Sequence, residues 1–225
     1  MDTPRTIWAK LVTNLAGVIV AVMFAFPAYW MIITAFKPAM DIQTNPPQFL
    51  PLHPTLANFT EALGRPYFLT FLRNSLLVTL SAVLLSLIVA LLAAVAAARM
   101  PFRGRRAYLL LILAVQLAPF EALFIPYFMV FRQFDLLNRL PALVCVYFVS
   151  ILPFTIWTLR GFVSAVPAAL EEAALVDGCT RWQAYRLIIL PLLGPGLVAT
   201  SIFGFITAWN EYLYAFVFMR DQEHY

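Results

Sequence analysis

Apolar residues along this chain fall into five long runs separated by short polar breaks. The first, roughly 11–36, reads LVTNLAGVIVAVMFAFPAYWMIITAF, and the second, roughly 75–98, reads SLLVTLSAVLLSLIVALLAAVAAA. The third covers roughly 107–131 and the fourth roughly 140–162. The fifth lies within 187–219, too long for one straight crossing. Pro191 and Pro195 are expected to break its early part and leave about Gly196–Phe218 as the crossing. A spanning helix needs about 20 mostly apolar residues. The pattern therefore predicts an all-α polytopic membrane protein with five transmembrane helices. Residues 1–36 form a tail and first helix, 37–74 an outer loop, and 75–225 a core interrupted by a polar island at about 164–191. The first run exceeds the apolar stretch of a signal peptide, about 7–15 residues, and is read as a retained helix.

Composition agrees with this reading. The 225 residues are 63% hydrophobic and 12% charged, against about 45–50% and about 25% in soluble domains. The net charge of +4 matters through its placement, and nucleic-acid binding is a poor reading. Arg99, Arg103, Arg105 and Arg106 cluster between the second and third runs. By the excess of Lys and Arg in cytoplasmic loops, that link is placed inside. The N-terminal tail with Arg5 and Lys10 follows it, as does the island with Arg160, Arg181 and Arg186. The outer side carries Lys37, Arg65, Arg73, Arg132, Arg139 and Arg220, spread over longer loops. The prolines of NPPQFLPLHPTLANF argue for an extended surface segment in the first outer loop. Cys145 sits in an apolar run and Cys179 in the island, so both are read as unpaired thiols.

The island, EEAALVDGCTRWQAYRLIILP from Glu171 to Pro191, calls for explanation in so apolar a chain. Pro167 suits the first position of a helix. The residues AALEEAALVD tolerate helix, and Gly178 suits the left-handed position that ends one. The result is a helix of about 11 residues, roughly 16 Å long, too short to span. Thr180, with Gln183 three residues later, has the pattern of a capping box that opens a second helix toward the bilayer. Alanines keep the first helix thin, while Glu171, Glu172 and Asp177 offer anions to a basic rim. An interfacial helix lying on lipid would favour Lys or Arg with bulky apolar residues. Docking against a protein fits these residues better.

This stretch resembles the EAA loop of permease subunits of ATP-binding-cassette (ABC) importers. The family pattern is Glu-Ala-Ala, three residues, Gly, nine residues, Ile, one residue, Leu-Pro. Here the matching residues are Glu172-Ala173-Ala174, Gly178, Ile188 and Leu190-Pro191. ITAFKP, RNSL, LPFTIWTLRGF and FITAWNEYLYAF are similar to the carbohydrate branch, in particular the second permease subunit of maltose-type systems. The resemblance implies that the island is a cytoplasmic coupling helix. Glu171, Glu172, Ala173, Ala174, Asp177 and Gly178 would dock it into an ATPase subunit. It implies a second permease subunit, two ATPase subunits carrying ATP and Mg, an extracytoplasmic substrate-binding protein, and a bacterial inner-membrane location with the N-terminus inside. It also implies six helices, whereas five runs are present and RDQEHY would end outside.

Motifs that are missing sharpen this. No glycine is followed by lysine, so no phosphate-binding GxxxxGK[ST] loop is present. HExxH and GxSxG are absent too, and His53 and His224 fall in an outer loop and the terminal stub. The chain is read as a non-catalytic translocation subunit with no cofactor or metal of its own. Polar residues within the runs are candidates for lining a substrate path. Glu121 lies between Pro119 and Pro126, with Gln116 upstream. Asn210 and Glu211 lie near the outer end of the fifth run among Trp209, Tyr212 and Tyr214. Packing and an interfacial aromatic belt explain the same residues, and Arg160 reads as a snorkelling anchor. Import of glycerol phosphate, a polyol or a peptide by the same superfamily is the nearest alternative. An ion-coupled carrier using Glu121 is a more distant one.

Overall fold

The computed structural model describes residues 4–220, with side chains from Trp8 onward. The Arg5 side chain, His224 and the end of the chain expected outside lie beyond those residues. Among the described residues every regular element is helical. The chain divides into one unit up to Phe68 and another from Leu69.

In the first unit, α1 (Pro4–Ala35) is a 32-residue helix. The segment after it is only partly extended: it contains α2 (Ala39–Ile42) and α3 (Ala57–Gly64). Backbone carbonyls at the end of α1 organise it. Asn58 donates through Nδ2 to the carbonyls of Ala35 at 3.0 Å and Lys37 at 2.8 Å. The Lys37 ammonium is 1% exposed, lies 4.6 Å from the centre of the Trp30 ring and donates to the Gln48 carbonyl. Burying a cation is costly unless it is partnered, and here the carbonyl and the ring supply partners.

The second unit is built on α4 (Phe68–Arg99) and α7 (Leu140–Ala165). The former starts at Phe68, several residues before the expected boundary at 75, and its 32 residues extend about 48 Å. Its inward stripe is small: Ala82, Ala90, Ala94 and Ala97 are fully buried. The spacing of eight, four and three is one face of a helix. Leu77, Leu80, Leu84 and Leu92 point away and are exposed. Small residues let helix backbones approach closely where lipid supplies no hydrophobic drive. Gly204 repeats the device, since a Cβ there would sit 3.0 Å from Ile151 Cγ2 on α7.

Among the described residues three helices are long and apolar enough to cross a bilayer, and two further crossings qualify only as bent pairs. The third crossing, expected over roughly 107–131, is α5 (Arg105–Leu117), a 3₁₀ turn at Phe120–Leu123, and α6 (Phe124–Gln133), bent by 87°. Pro119 explains the break: it forces Ala118 into extended backbone at φ −66°, ψ 134°. Next come α8 (Ala168–Val176), α9 (Arg181–Ala184), a π-turn at Tyr185–Ile189 and α10 (Leu190–Leu192). A 65° bend leads from α10 into α11 (Gly194–Trp209). The early break is where proline placement puts it. The crossing does not run on to Phe218: it stops at Trp209 and resumes as α12 (Leu213–Phe218).

Candidate functional site

Two places collect the residues singled out above. The first is the island. Helix α8 has nine residues, with Pro167 as its N-cap rather than its first helical residue. It ends in a Schellman turn: Gly178 N–H donates to Leu175 O at 3.2 Å and Cys179 N–H to Ala174 O at 3.0 Å. Gly178 carries the φ of +88° that this turn requires. Two residues on, the Thr180 hydroxyl accepts from Gln183 N–H at 3.3 Å, and Gln183 Oε1 accepts from Thr180 N–H at 2.7 Å. The corner between α8 and α9 is thus hydrogen-bonded on both sides.

The six docking candidates do not share one environment. Glu172, Ala173, Asp177 and Gly178 are exposed, whereas Ala174 is 3% exposed. Glu171 turns back toward its own chain. Its carboxylate lies 3.8 Å from Arg99 Nε, and the two side chains are 17% and 14% exposed. Arg99 also donates through Nη2 to the Val166 carbonyl at 2.5 Å. One arginine at the end of α4 therefore holds both the carbonyl before α8 and a carboxylate in its first turn. This places the Arg99 end of α4 and the island at the same end of the unit. Val176 and Trp182, 88% and 67% exposed, add apolar surface around the corner that spacing alone did not mark.

The second place is a cavity of about 820 Å³ between the two broken crossings. Gln116, Glu121, Asn210 and Glu211 all line it, although nearly a hundred residues separate the two pairs. The break at Ala118–Pro119 presents the first two, and the break after Trp209 presents the others. Glu211 makes the second break. Its Oε1 accepts from Tyr214 N–H at 3.0 Å, capping α12, while Oε2 accepts from Tyr147 Oη at 2.9 Å. Asn210 donates through Nδ2 to Ile206 O at 2.9 Å. Such side-chain bonds compete with the helical ladder. Tyr214, 1% exposed, then donates to the Phe120 carbonyl at 2.8 Å, and its ring packs 4.9 Å from that of Phe120. The two breaks are tied to each other. A smaller cavity of about 450 Å³, with Asn74, Thr79 and Tyr147 in its wall, lies on the other side of Glu211 and Tyr212. Arg160 stands 5.5 Å from the Trp157 ring.

This geometry belongs to a chain whose residues 88–221 match the family described as binding-protein-dependent transport system inner membrane component. The chain belongs to that family. It is a multi-pass membrane permease of the ABC importer class. One relative is the diacetylchitobiose uptake system permease protein DasC of Streptomyces coelicolor. It is 47% identical over 219 residues, covering 97% of this permease and 79% of the relative. The sulfoquinovosyl glycerol transport system permease protein SmoH of Agrobacterium fabrum is 37% identical over 204 residues, covering 91% and 72%. In fold, the permease is similar to a chain in the crystal structure of a bacterial ABC transporter involved in the import of the acidic polysaccharide alginate. That match has a TM-score of 0.80 at 23% identity, over all of this permease and 79% of that chain.

Three contributors to the permease's two sites were not given their roles by the sequence, Tyr214 being noted there only as one of the aromatics around Asn210 and Glu211. Arg99 counted there only as a topological charge, because nothing in spacing links it to Glu171. Tyr147 and Tyr214 sit inside apolar or aromatic stretches, where a hydroxyl with a specific partner looks like any other ring.

Proposed function

We propose that this permease is the translocation subunit of an ATP-driven importer for a sugar or oligosaccharide. It works with a second permease subunit, two ATPase subunits and an extracytoplasmic binding protein. The observation that carries the reading is α8, a short helix presented on a hydrogen-bonded corner and secured from behind by Arg99. Its exposed surface includes Leu170, Glu172, Ala173, Leu175, Val176 and, at the corner, Asp177 and Gly178, a surface suited to seating in a partner's groove. Behind it, the π-turn and the 65° bend lead directly into α11, whose far end borders the large cavity. A push on α8 thus has a short mechanical route to a cavity wall. Of the docking candidates, Glu171 serves as internal brace rather than contact.

Relatives named for uptake of diacetylchitobiose and for trehalose/maltose transport support a carbohydrate cargo. The Arg99 end of α4 and the island sharing one end supports placing both in the cytoplasm, and the excess of basic residues in short loops places the N-terminus there too. ATP and Mg belong to the partner ATPase, and this chain performs no chemistry. The discriminating experiment compares Glu172→Lys with the parent for subunit level in the membrane and for ATPase retained on it. Normal insertion with lost ATPase and lost uptake is expected. A stable variant with full ATPase stoichiometry and parental uptake defeats the reading.

A further inference from the structure

We propose, resting on the importer reading above, that the cavity between the two helix breaks admits neutral or cationic saccharides and excludes anionic ones. Glu121 and Glu211 are its specificity-determining residues. Besides tyrosines, the polar part of the wall is Gln116, Glu121, Ser150, Thr207, Asn210 and Glu211, and none of the lining residues is Lys, Arg or His. Hydroxyls and amides can both donate and accept, whereas a carboxylate only accepts. A solute bearing hydroxyl or ammonium donors can satisfy this wall. A uronate, sulfonate or phosphate brings acceptors of like charge against two acceptors, with no cation lining the cavity to offset them. Such juxtaposition is the repulsive element by which sites reject the wrong partner, and a cleft between apolar walls strengthens it.

Position adds to chemistry. Glu211 is not a mobile surface acid: Tyr147 Oη and Tyr214 N–H hold its two oxygens, at 2.9 and 3.0 Å. It cannot swing away from an approaching anion without giving up the cap of α12. Glu121 is exposed and sits in the 3₁₀ turn of the other break. Because Tyr214 bonds the Phe120 carbonyl beside it, the two acids belong to one tied structure. Phe120, Tyr127 and Tyr212 contribute aromatic surface to the same wall, suited to the C–H faces of a pyranose.

The test uses the assembled importer in lipid nanodiscs, without its binding protein, so that the binding protein's selectivity is out of the measurement. Three β-linked disaccharide probes are titrated at physiological ionic strength: cellobiose as the neutral one, chitobiose as the cationic one and cellobiouronic acid as the anionic one. Equilibrium binding of the acid is expected to be at least about tenfold weaker than that of cellobiose, with chitobiose equal to cellobiose or tighter. In Glu121→Gln/Glu211→Gln the acid should come within about threefold of cellobiose, the ratio of the two affinities being the readout whatever happens to cellobiose binding itself. If the double variant fails to assemble, Glu121→Gln alone decides, and it should at least halve the discrimination. Equal binding of acid and neutral sugar by the parent overturns the proposal. So does discrimination unchanged in the variants, or no binding of any probe. An assembled importer that retains its ATPase and fails these criteria refutes the selectivity alone; a chain that retains no ATPase refutes the importer reading.

Discussion

Replacing Gly178 with alanine isolates one physical quantity. The residue sits at φ +88°, and a Cβ built there meets no heavy atom of this chain within 4 Å. Within the subunit the penalty is therefore backbone strain rather than collision, about 1–2 kcal/mol for a residue with a Cβ in the left-handed region. That corresponds to a roughly 5–30-fold change in the population of the closed corner. The Cys179 amide reports it, because its bond to Ala174 O at 3.0 Å exists only while the Schellman turn is closed. Hydrogen exchange at Cys179 should accelerate by about that factor in Gly178→Ala. Gly178→Asn should recover much of the protection, since asparagine visits the left-handed region more readily. ATPase retention should fall in the same order: glycine, asparagine, alanine. Parental exchange in the alanine variant would refute the strain argument. An asparagine variant worse than alanine would show that side-chain size in the docked state, not φ, is what the glycine serves.

Four further outcomes follow from the same contacts. Arg99→Gln should loosen the island by about 1–3 kcal/mol, between an exposed and a buried ion pair; a double-mutant cycle with Glu171→Gln should show coupling, and strictly additive effects would contradict the brace. Tyr214→Phe leaves the Phe120 carbonyl without its 2.8 Å donor and should lower stability by about 1–3 kcal/mol, read as a lower midpoint of thermal unfolding in detergent. Gly204→Leu drives a side chain into Ile151 and should reduce the folded fraction by about 1–3 kcal/mol or more, whereas Gly17→Leu, with open space around it, should leave the midpoint unchanged. Cys179, half-buried and unpaired, should react with a membrane-impermeant thiol reagent only from the cytoplasmic side in complexes lacking the ATPase.

Hydropathy made the helical membrane class and the five apolar runs legible, because lipid demands long runs whatever the tertiary contacts. The island was legible for a different reason. Its corner is a local motif, and the Gly178 turn and the Thr180–Gln183 capping box depend on residues a few positions apart. The breaks in the third and fifth crossings were only half legible. Pro119 announces one, but the other comes from Glu211 capping Tyr214, a choice that depends on Tyr147 standing ready on α7. Distant pairing also hid the Arg99–Glu171 brace and the meeting of Gln116 and Glu121 with Asn210 and Glu211 around one cavity. Each pair is 60 or more residues apart in sequence, and periodicity carries no signal at that range.

The central claim, that this permease moves solute only as part of an ATP-driven assembly, is tested most directly by transport in proteoliposomes. Cellobiose and N,N′-diacetylchitobiose serve as labelled probes, with the chain reconstituted alone or with its partner permease, ATPases and binding protein. Uptake is expected only in the full assembly with ATP on the ATPase side, and it should vanish when ATP is replaced by a non-hydrolysable analogue. Uptake by the chain alone, driven by a proton or sodium gradient and indifferent to ATP, would contradict the account.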